Sequence, residues 1–192
     1  MDEAGNIYGT TQYGGDNDSG VLFKLSQAGA QWSETVLHGF CVEHLCHDGG
    51  QPYANPVMGH GGILFGATPF GGKNSGGTIY ALVPGATPFY SDIYDFCSAQ
   101  FCKDGAYPFG GVTFGPDGDL YGMTQQGGDA GDGVVFHFGG RLEVLYGFCS
   151  RQRCPDGSSP VGGVAIDGVG HVFATAPEGC GTNHGTVFEV TR

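Results

Sequence analysis

Short apolar runs broken by glycine-rich turns fill this chain, and no stretch keeps the three- and four-residue apolar spacing of an amphipathic helix. Residues 110–114, 119–124, 133–138 and 142–148 show the pattern best. They read as four consecutive strands separated by turns rich in Gly, Asp and Pro. In the fourth, the alternation predicts Val144, Tyr146 and Phe148 on one face. The third and fourth are joined by little more than Gly139-Gly140, which predicts a tight hairpin.

The same pattern recurs along the whole chain. An aromatic residue opens a strand-like motif at Tyr8, Phe65, Tyr121 and Phe173, at spacings of 57, 56 and 52 residues. Glycine turns follow at Gly14-Gly15, Gly71-Gly72, Gly127-Gly128 and Gly179-Cys180, and another strand starts after Gly20, Gly77, Gly133 and Gly185. Phe-Cys-x4-Cys-x-Asp-Gly-x2-Pro occurs three times without a gap, from Phe40 to Pro52, Phe96 to Pro108 and Phe148 to Pro160. The copies span approximately residues 1–58, 59–114, 115–166 and 167–192, the last incomplete, within a single repeat domain. Their length differences all fall in one connection, residues 26–33 and its equivalents, which is therefore expected to be a surface loop. A small residue follows each motif aromatic (Gly9, Gly66, Gly122, Ala174), which predicts close approach of sheet to sheet. The first strand of a copy is entered through Gly110-Gly111 or Gly162-Gly163, and through Ala54-Asn55 in the first copy, where Asn55 is expected at positive φ.

Four antiparallel strands per copy of roughly 50 residues predict an all-β chain built as a partial β-propeller. About three and a half four-stranded blades, or about fourteen strands, are expected, the first blade without its entry strand and the last without its outer strand. A stacked β-solenoid is the alternative architecture, although its repeats are usually shorter. A closed ring takes more blades than this, so open sheet ends are expected to favour self-association.

The aromatic-Gly-x-Thr-x2-Gly-Gly motif, Gly185-Thr186-Val187-Phe188 and the three cysteine motifs together resemble the GloVer tandem-repeat family of bacterial cell-surface and secreted proteins. The resemblance covers essentially the whole chain. It implies export and a repetitive β-architecture, and it brings no activity, substrate or catalytic residue. Residues 1–5 show neither a basic start nor an apolar leader core, and residues 2–6 already match the turns at 115–119 and 167–171. A segment of a longer array is expected, with export signal and anchor outside it.

The paired cysteines are the strongest candidate chemistry. Cys41/Cys46, Cys97/Cys102 and Cys149/Cys154 each enclose four residues and are expected to form local disulfides. The alternative is zinc, for which Cys41, His44, Cys46 and His47 would supply four ligands in the first copy only. Cys180 replaces a turn glycine and is read as a drifted turn residue or a partner for a distant cysteine. Asp48, Asp104 and Asp156 recur before glycine as turn carboxylates that accept backbone N–H bonds. Asp16, Asp18, Asp129 and Asp132 loosely resemble calcium-binding turns, so calcium is the one cofactor considered. Trp32, in the variable connection, is the candidate for stacking on a sugar.

A net charge of −12 with 7 Lys and Arg argues against nucleic acid and anionic membranes, and no apolar run would span a bilayer. No nucleophile–base set or carboxylate pair stands out. The sequence therefore predicts an exported, non-catalytic structural or ligand-binding module whose partner is a glycan or a surface protein. A carbohydrate-active propeller enzyme and a calcium-stabilised adhesive segment are the alternatives.

Overall fold

The computed structural model describes residues 1–179 and 185–191. Its described strands form four small antiparallel sheets. The first holds β1 (Ile7–Thr11), β2 (Val21–Ala28) and β3 (Gln31–Gly39). The second holds β4 (Val57–Met58), β5 (Leu64–Thr68), β6 (Thr78–Val83) and β7 (Phe89–Asp95) in that order. The third holds β8 (Val112–Phe114), β9 (Leu120–Thr124), β10 (Val134–Phe138) and β11 (Leu142–Gly147). The fourth holds β12 (Ala165–Ile166), β13 (Val172–Ala176) and β14 (Thr186–Val190). This is an all-β chain of propeller-like blades, and among the described residues the middle two have four strands and the first and last have three. Among the described strands no ladder runs from one sheet to the next, as a stacked solenoid would require. The sheets are offset from the sequence copies by one strand: β4 and β8 close one copy and open the next blade.

Three apolar clusters sit between successive sheets. Leu22, Leu37 and Phe40 of the first blade pack on Leu64, Tyr80 and Leu82 of the second. Ala67, Ile79 and Phe96 meet Val112, Leu120, Val134 and Phe136. Tyr121, Met123, Val135 and Phe148 meet Val172 and Ala176. One ring pair repeats at each junction, Phe40–Tyr80, Phe96–Phe136 and Phe148–Phe188, with centroids 5.5, 5.1 and 4.9 Å apart. Each fully buried ring contributes about 1.5–3 kcal/mol, so these rings dominate the cohesion between blades.

The small residue after each motif aromatic has a different role from the one expected. Gly9, Gly66, Gly122 and Ala174 lie directly across the strand pair from Phe23, Tyr80, Phe136 and Phe188. A Cβ at Gly9 would lie 2.7 Å from the Phe23 ring, and one at Gly122 would lie 2.6 Å from Phe136. The glycine makes room for a ring of its own sheet, which lies across it and then faces the preceding blade.

The variable connection also differs from expectation. In the first blade its extra residues are not a loop, because β2 and β3 continue through Ser26↔Ser33 and Gln27↔Trp32 to Ala28↔Gln31. Alternating pairing partners were available, so the added length became ladder. In the third blade the connection is the tight hairpin expected, with Phe138 paired to Leu142 and Gly140 at φ +83°. Gly111 takes φ +71°, whereas Asn55 and Gly163 lie outside that region. The strain is local to Gly111, where a side chain would collide with the Ala54 methyl.

The alternation expected for the fourth strand is broken by a bulge. The register shifts between Val135 and Phe136, so Leu145 is the extra residue opposite them. Leu145 packs with Tyr146 and Phe148 in the core, while Val144 is exposed. Bulges occur at the same place in the first two blades, where Leu37 and Ile93 are the extra residues. All three extra residues are apolar and join an inter-blade cluster.

Candidate functional site

The bulge sets up the most regular polar structure in the molecule. A bulge re-aims the side chains beyond it. Here it directs His38, Tyr94 and Tyr146 onto the repeated aspartates. The Tyr94 hydroxyl donates to Asp104 at 2.6 Å and the Tyr146 hydroxyl to Asp156 at 2.6 Å, while His38 Nε2 lies 3.2 Å from Asp48. Asp104 also accepts from the Ser98 and Ala99 amides and the Ser98 hydroxyl. Asp48 accepts from the Val42 and Glu43 amides, and Asp156 from the Ser150 amide and hydroxyl. Burial opposes ionisation of Asp156, but the Tyr146 and Ser150 hydrogen bonds prevail and hold its carboxyl below the usual range. The aspartates are turn organisers, as the sequence suggested.

Around each aspartate the cysteines close the loop. Cys41–Cys46, Cys97–Cys102 and Cys149–Cys154 are disulfides. This removes the alternative of zinc on Cys41, His44, Cys46 and His47, since the two sulfurs are joined to each other. All six cysteines adopt positive φ, as do Leu45, Phe101 and Arg153 beside them. Residues other than glycine seldom hold that conformation without restraint. The closed loop then clips onto the next blade: Gly72 N–H donates to the Cys46 carbonyl, and Gly128 N–H to that of Cys102. Gly71 and Gly127 must be glycine, because a Cβ there would strike those same carbonyl oxygens. The tip of the second loop presents Phe101, 80% exposed.

A second feature lies where the blades are entered. The segments leading into β4, β8 and β12 converge, with Ala54 against Gly111 and Gly110 against the Gly162 carbonyl. Beside this convergence is a surface of aromatic rings. Tyr53 meets Phe109 edge-on at 4.9 Å, Phe109 meets Phe70 at 5.7 Å, and Phe70 meets Tyr107 at 6.0 Å. The Gln12 side-chain amide donates to the hydroxyls of Tyr13 and Tyr53 at 3.0 and 2.6 Å. Tyr13 and Tyr53 are 56% and 53% exposed, and Phe70 is exposed as well. None of these six residues carries a charge, on a chain whose net charge is −12. Sequence reasoning did not find this surface. A signal was present, since Tyr53 and Phe109 both follow the proline that ends the cysteine motif, and Tyr13 and Phe70 both precede the glycine turn.

The other candidate residues are scattered. Asp16 is exposed, and Asp18 turns back to accept from the Gly14 amide. Asp129 pairs with Lys103 at 2.8 Å. Asp132 lies near Cys149 and Cys154, whose sulfurs are used in their disulfide, and its backbone carbonyl accepts from Ser159. Trp32 stands half-exposed near the tip of the β2–β3 ribbon and makes no ring contact among the described residues. Cys180 lies outside the described residues.

At the first junction the polar network is the most deeply buried. His38 stacks on Tyr90 at 3.7 Å, and the Tyr90 hydroxyl donates to the Asp48 carbonyl and to Asp92. Burial lowers the His38 pKa despite Asp48 beside it, and burial pushes Asp92 up to about 6.

Blades joined through ring pairs and fastened by disulfide loops define a propeller-type repeat protein. A model described as the Gloeobacter/Verrucomicrobia repeat matches residues 1–192, and the chain belongs to that family. No curated protein and no solved structure matches it. No helix among the described residues is long and apolar enough to cross a membrane.

Proposed function

We propose that the protein is an exported, non-catalytic module that holds a neutral glycan against the surface formed by Gln12, Tyr13, Tyr53, Phe70, Tyr107 and Phe109. The observation that carries this reading is a contiguous set of rings, of which Tyr13, Tyr53 and Phe70 are exposed, edged by a carboxamide and without a charged member. Contiguous exposed apolar surface marks interaction sites. Aromatic faces suit the C–H faces of pyranose rings, and carboxamide and phenol groups exchange hydrogen bonds with sugar hydroxyls. Export is supported by three disulfides, which persist in oxidising compartments. A binding rather than catalytic role is supported by the repeated aspartates, which are occupied in holding loops. A cavity of about 730 Å³ beside β11 has Lys103 and Asp129 in its lining, and those two pair with each other.

The test is a titration of the oxidised chain with neutral oligosaccharides, followed by NMR and by analysis of the sugar afterwards. The expected result is saturable binding with the sugar unchanged, weakened about tenfold in Tyr53→Ala or Phe109→Ala and unaltered in Trp32→Ala. Binding that survives both ring deletions, or release of shorter sugars, would overturn it.

A further inference from the structure

We propose that Asp117, Asp119 and His137 form a zinc site on the third blade. Asp117 and Asp119 belong to the turn between β8 and β9, and His137 lies on β10. His137 Nε2 is 2.8 Å from Asp119 Oδ2 and 3.7 Å from Asp117 Oδ2. The ligand atoms of all three residues lie within 4.8 Å of one another. Ligands about 2.0–2.2 Å from a tetrahedral zinc are separated by roughly 3.3–3.5 Å, so small side-chain shifts make one ion common to all three. Three protein ligands leave the fourth position to water.

The surroundings are those of a prepared ligand set. The His137 side chain is only 9% exposed, while both carboxylates reach solvent, which gives an ion its entry path. The Tyr121 hydroxyl donates to Asp117 Oδ2 at 2.7 Å, and Glu143 lies 3.7 Å from His137 Nδ1. The Tyr121 hydrogen bond is an outer partner of the kind that orients a metal-bound carboxylate.

The repeat does not need these residues to fold. The turn bond from Gly115 N–H to the Asp119 carbonyl recurs at Asp2–Asn6, Gly59–Ile63 and Asp167–His171. Asp119 is thus equivalent to Asn6, Ile63 and His171. His137 pairs across the sheet with Tyr121, as Lys24, Ala81 and Glu189 pair with Tyr8, Phe65 and Phe173. The second blade builds the same turn and sheet with Ile63 and Ala81, so no polar group is required at either position. In the fourth blade acid and imidazole are exchanged, with His171 Nδ1 at 3.1 Å from Asp167 and 3.3 Å from Glu189. The third blade is the better site because its imidazole is almost sealed and its two carboxylates converge on one nitrogen.

Calorimetric titration of the chelator-stripped, oxidised chain with zinc is the test, with cobalt absorption as the report of geometry. One tight equivalent is expected, with tetrahedral cobalt bands and a raised melting temperature. Asp119→Asn, in an exposed turn, should abolish the tight equivalent. Tyr121→Phe should weaken it about tenfold through loss of the outer hydrogen bond. The double variant His44→Ala/His47→Ala should leave it intact. No saturable binding, binding unchanged in Asp119→Asn, or binding lost with His44 and His47 would each overturn the proposal. In the first of these outcomes the trio is an ion pair and nothing more.

Discussion

Tyr80 is completely buried, and its hydroxyl finds no hydrogen-bond partner among the described residues. Phe23, Phe136 and Phe188 take the equivalent place opposite Gly9, Gly122 and Ala174. A buried hydroxyl without a partner costs about 1–3 kcal/mol, so Tyr80→Phe should stabilise the chain by about 1 kcal/mol in a urea melt. Loss of stability would show that the hydroxyl is satisfied after all. Asp92 makes a pH-dependent prediction. Its folded pKa of about 6 lies above the ordinary 3.8, so the native state binds the extra proton between those values. Its favourable contribution is complete below pH 3.8 and is lost as pH rises through 6. Asp92→Asn keeps an acceptor for Tyr90 and should raise stability by about 1–2 kcal/mol at pH 7.5, a half-exposed group being discounted for screening. The gain should vanish by pH 4. His38 has the opposite sign: its pKa is lowered, so its contribution is present above pH 6.5 and is lost as pH falls through the folded value. The aspartates' turn role was legible because Asp-Gly recurs in every cysteine motif. Their Tyr94 and Tyr146 partners were not, since sequence spacing does not reveal a bulge.

At the scale of an element, the disulfide loop is the unit that turns one blade into the next. From one cysteine to the other its backbone bends at three left-handed residues that are not glycine in each of the first two copies, Cys41, Leu45 and Cys46 and then Cys97, Phe101 and Cys102. Two restraints hold this shape, the sulfur bridge and the buried carboxylate. Replacing Cys97 and Cys102 by serine should cost about 2 kcal/mol, by the loop entropy that so short a bridge removes. Asp104→Ala should cost about 3 kcal/mol, because the Ser98 and Ala99 amides and the Tyr94 hydroxyl lose their acceptor together. Hydrogen exchange gives the diagnostic readout: the Ser98 and Ala99 amides should lose protection in Asp104→Ala while β9 and β10 keep theirs. The strand positions of the third blade were legible because residues 119–124 and 133–138 are β-favouring runs flanked by turn residues. The β2–β3 ribbon was not, because Ser26, Gln27 and Ser33 are polar and read as loop until a partner strand is known. Trp32 was assigned to a loop for the same reason.

For the whole molecule, the repeat places equivalent residues in equivalent surroundings except at the two ends. Phe23 lies over Gly9 as Tyr80 and Phe136 lie over their glycines, but it is only half-buried. On the fourth blade Val187 is 82% exposed and Phe173 is exposed beside Ala165. These ends are the counterparts of faces that pack together three times within the chain. Sedimentation velocity should therefore show concentration-dependent association, reduced in Val187→Asp; monomer at all concentrations would oppose it. The blade count was legible from the repeat. The aromatic surface was not, because Tyr13, Tyr53, Phe70, Tyr107 and Phe109 belong to separate turns that only folding brings together. The central claim is that one ring pair fastens every blade to its neighbour. Ring-to-ring NOEs in the oxidised chain test it most directly. Contacts of Phe40 with Tyr80, Phe96 with Phe136 and Phe148 with Phe188 are predicted together; absence of any one, or a pairing within a single copy, would contradict it.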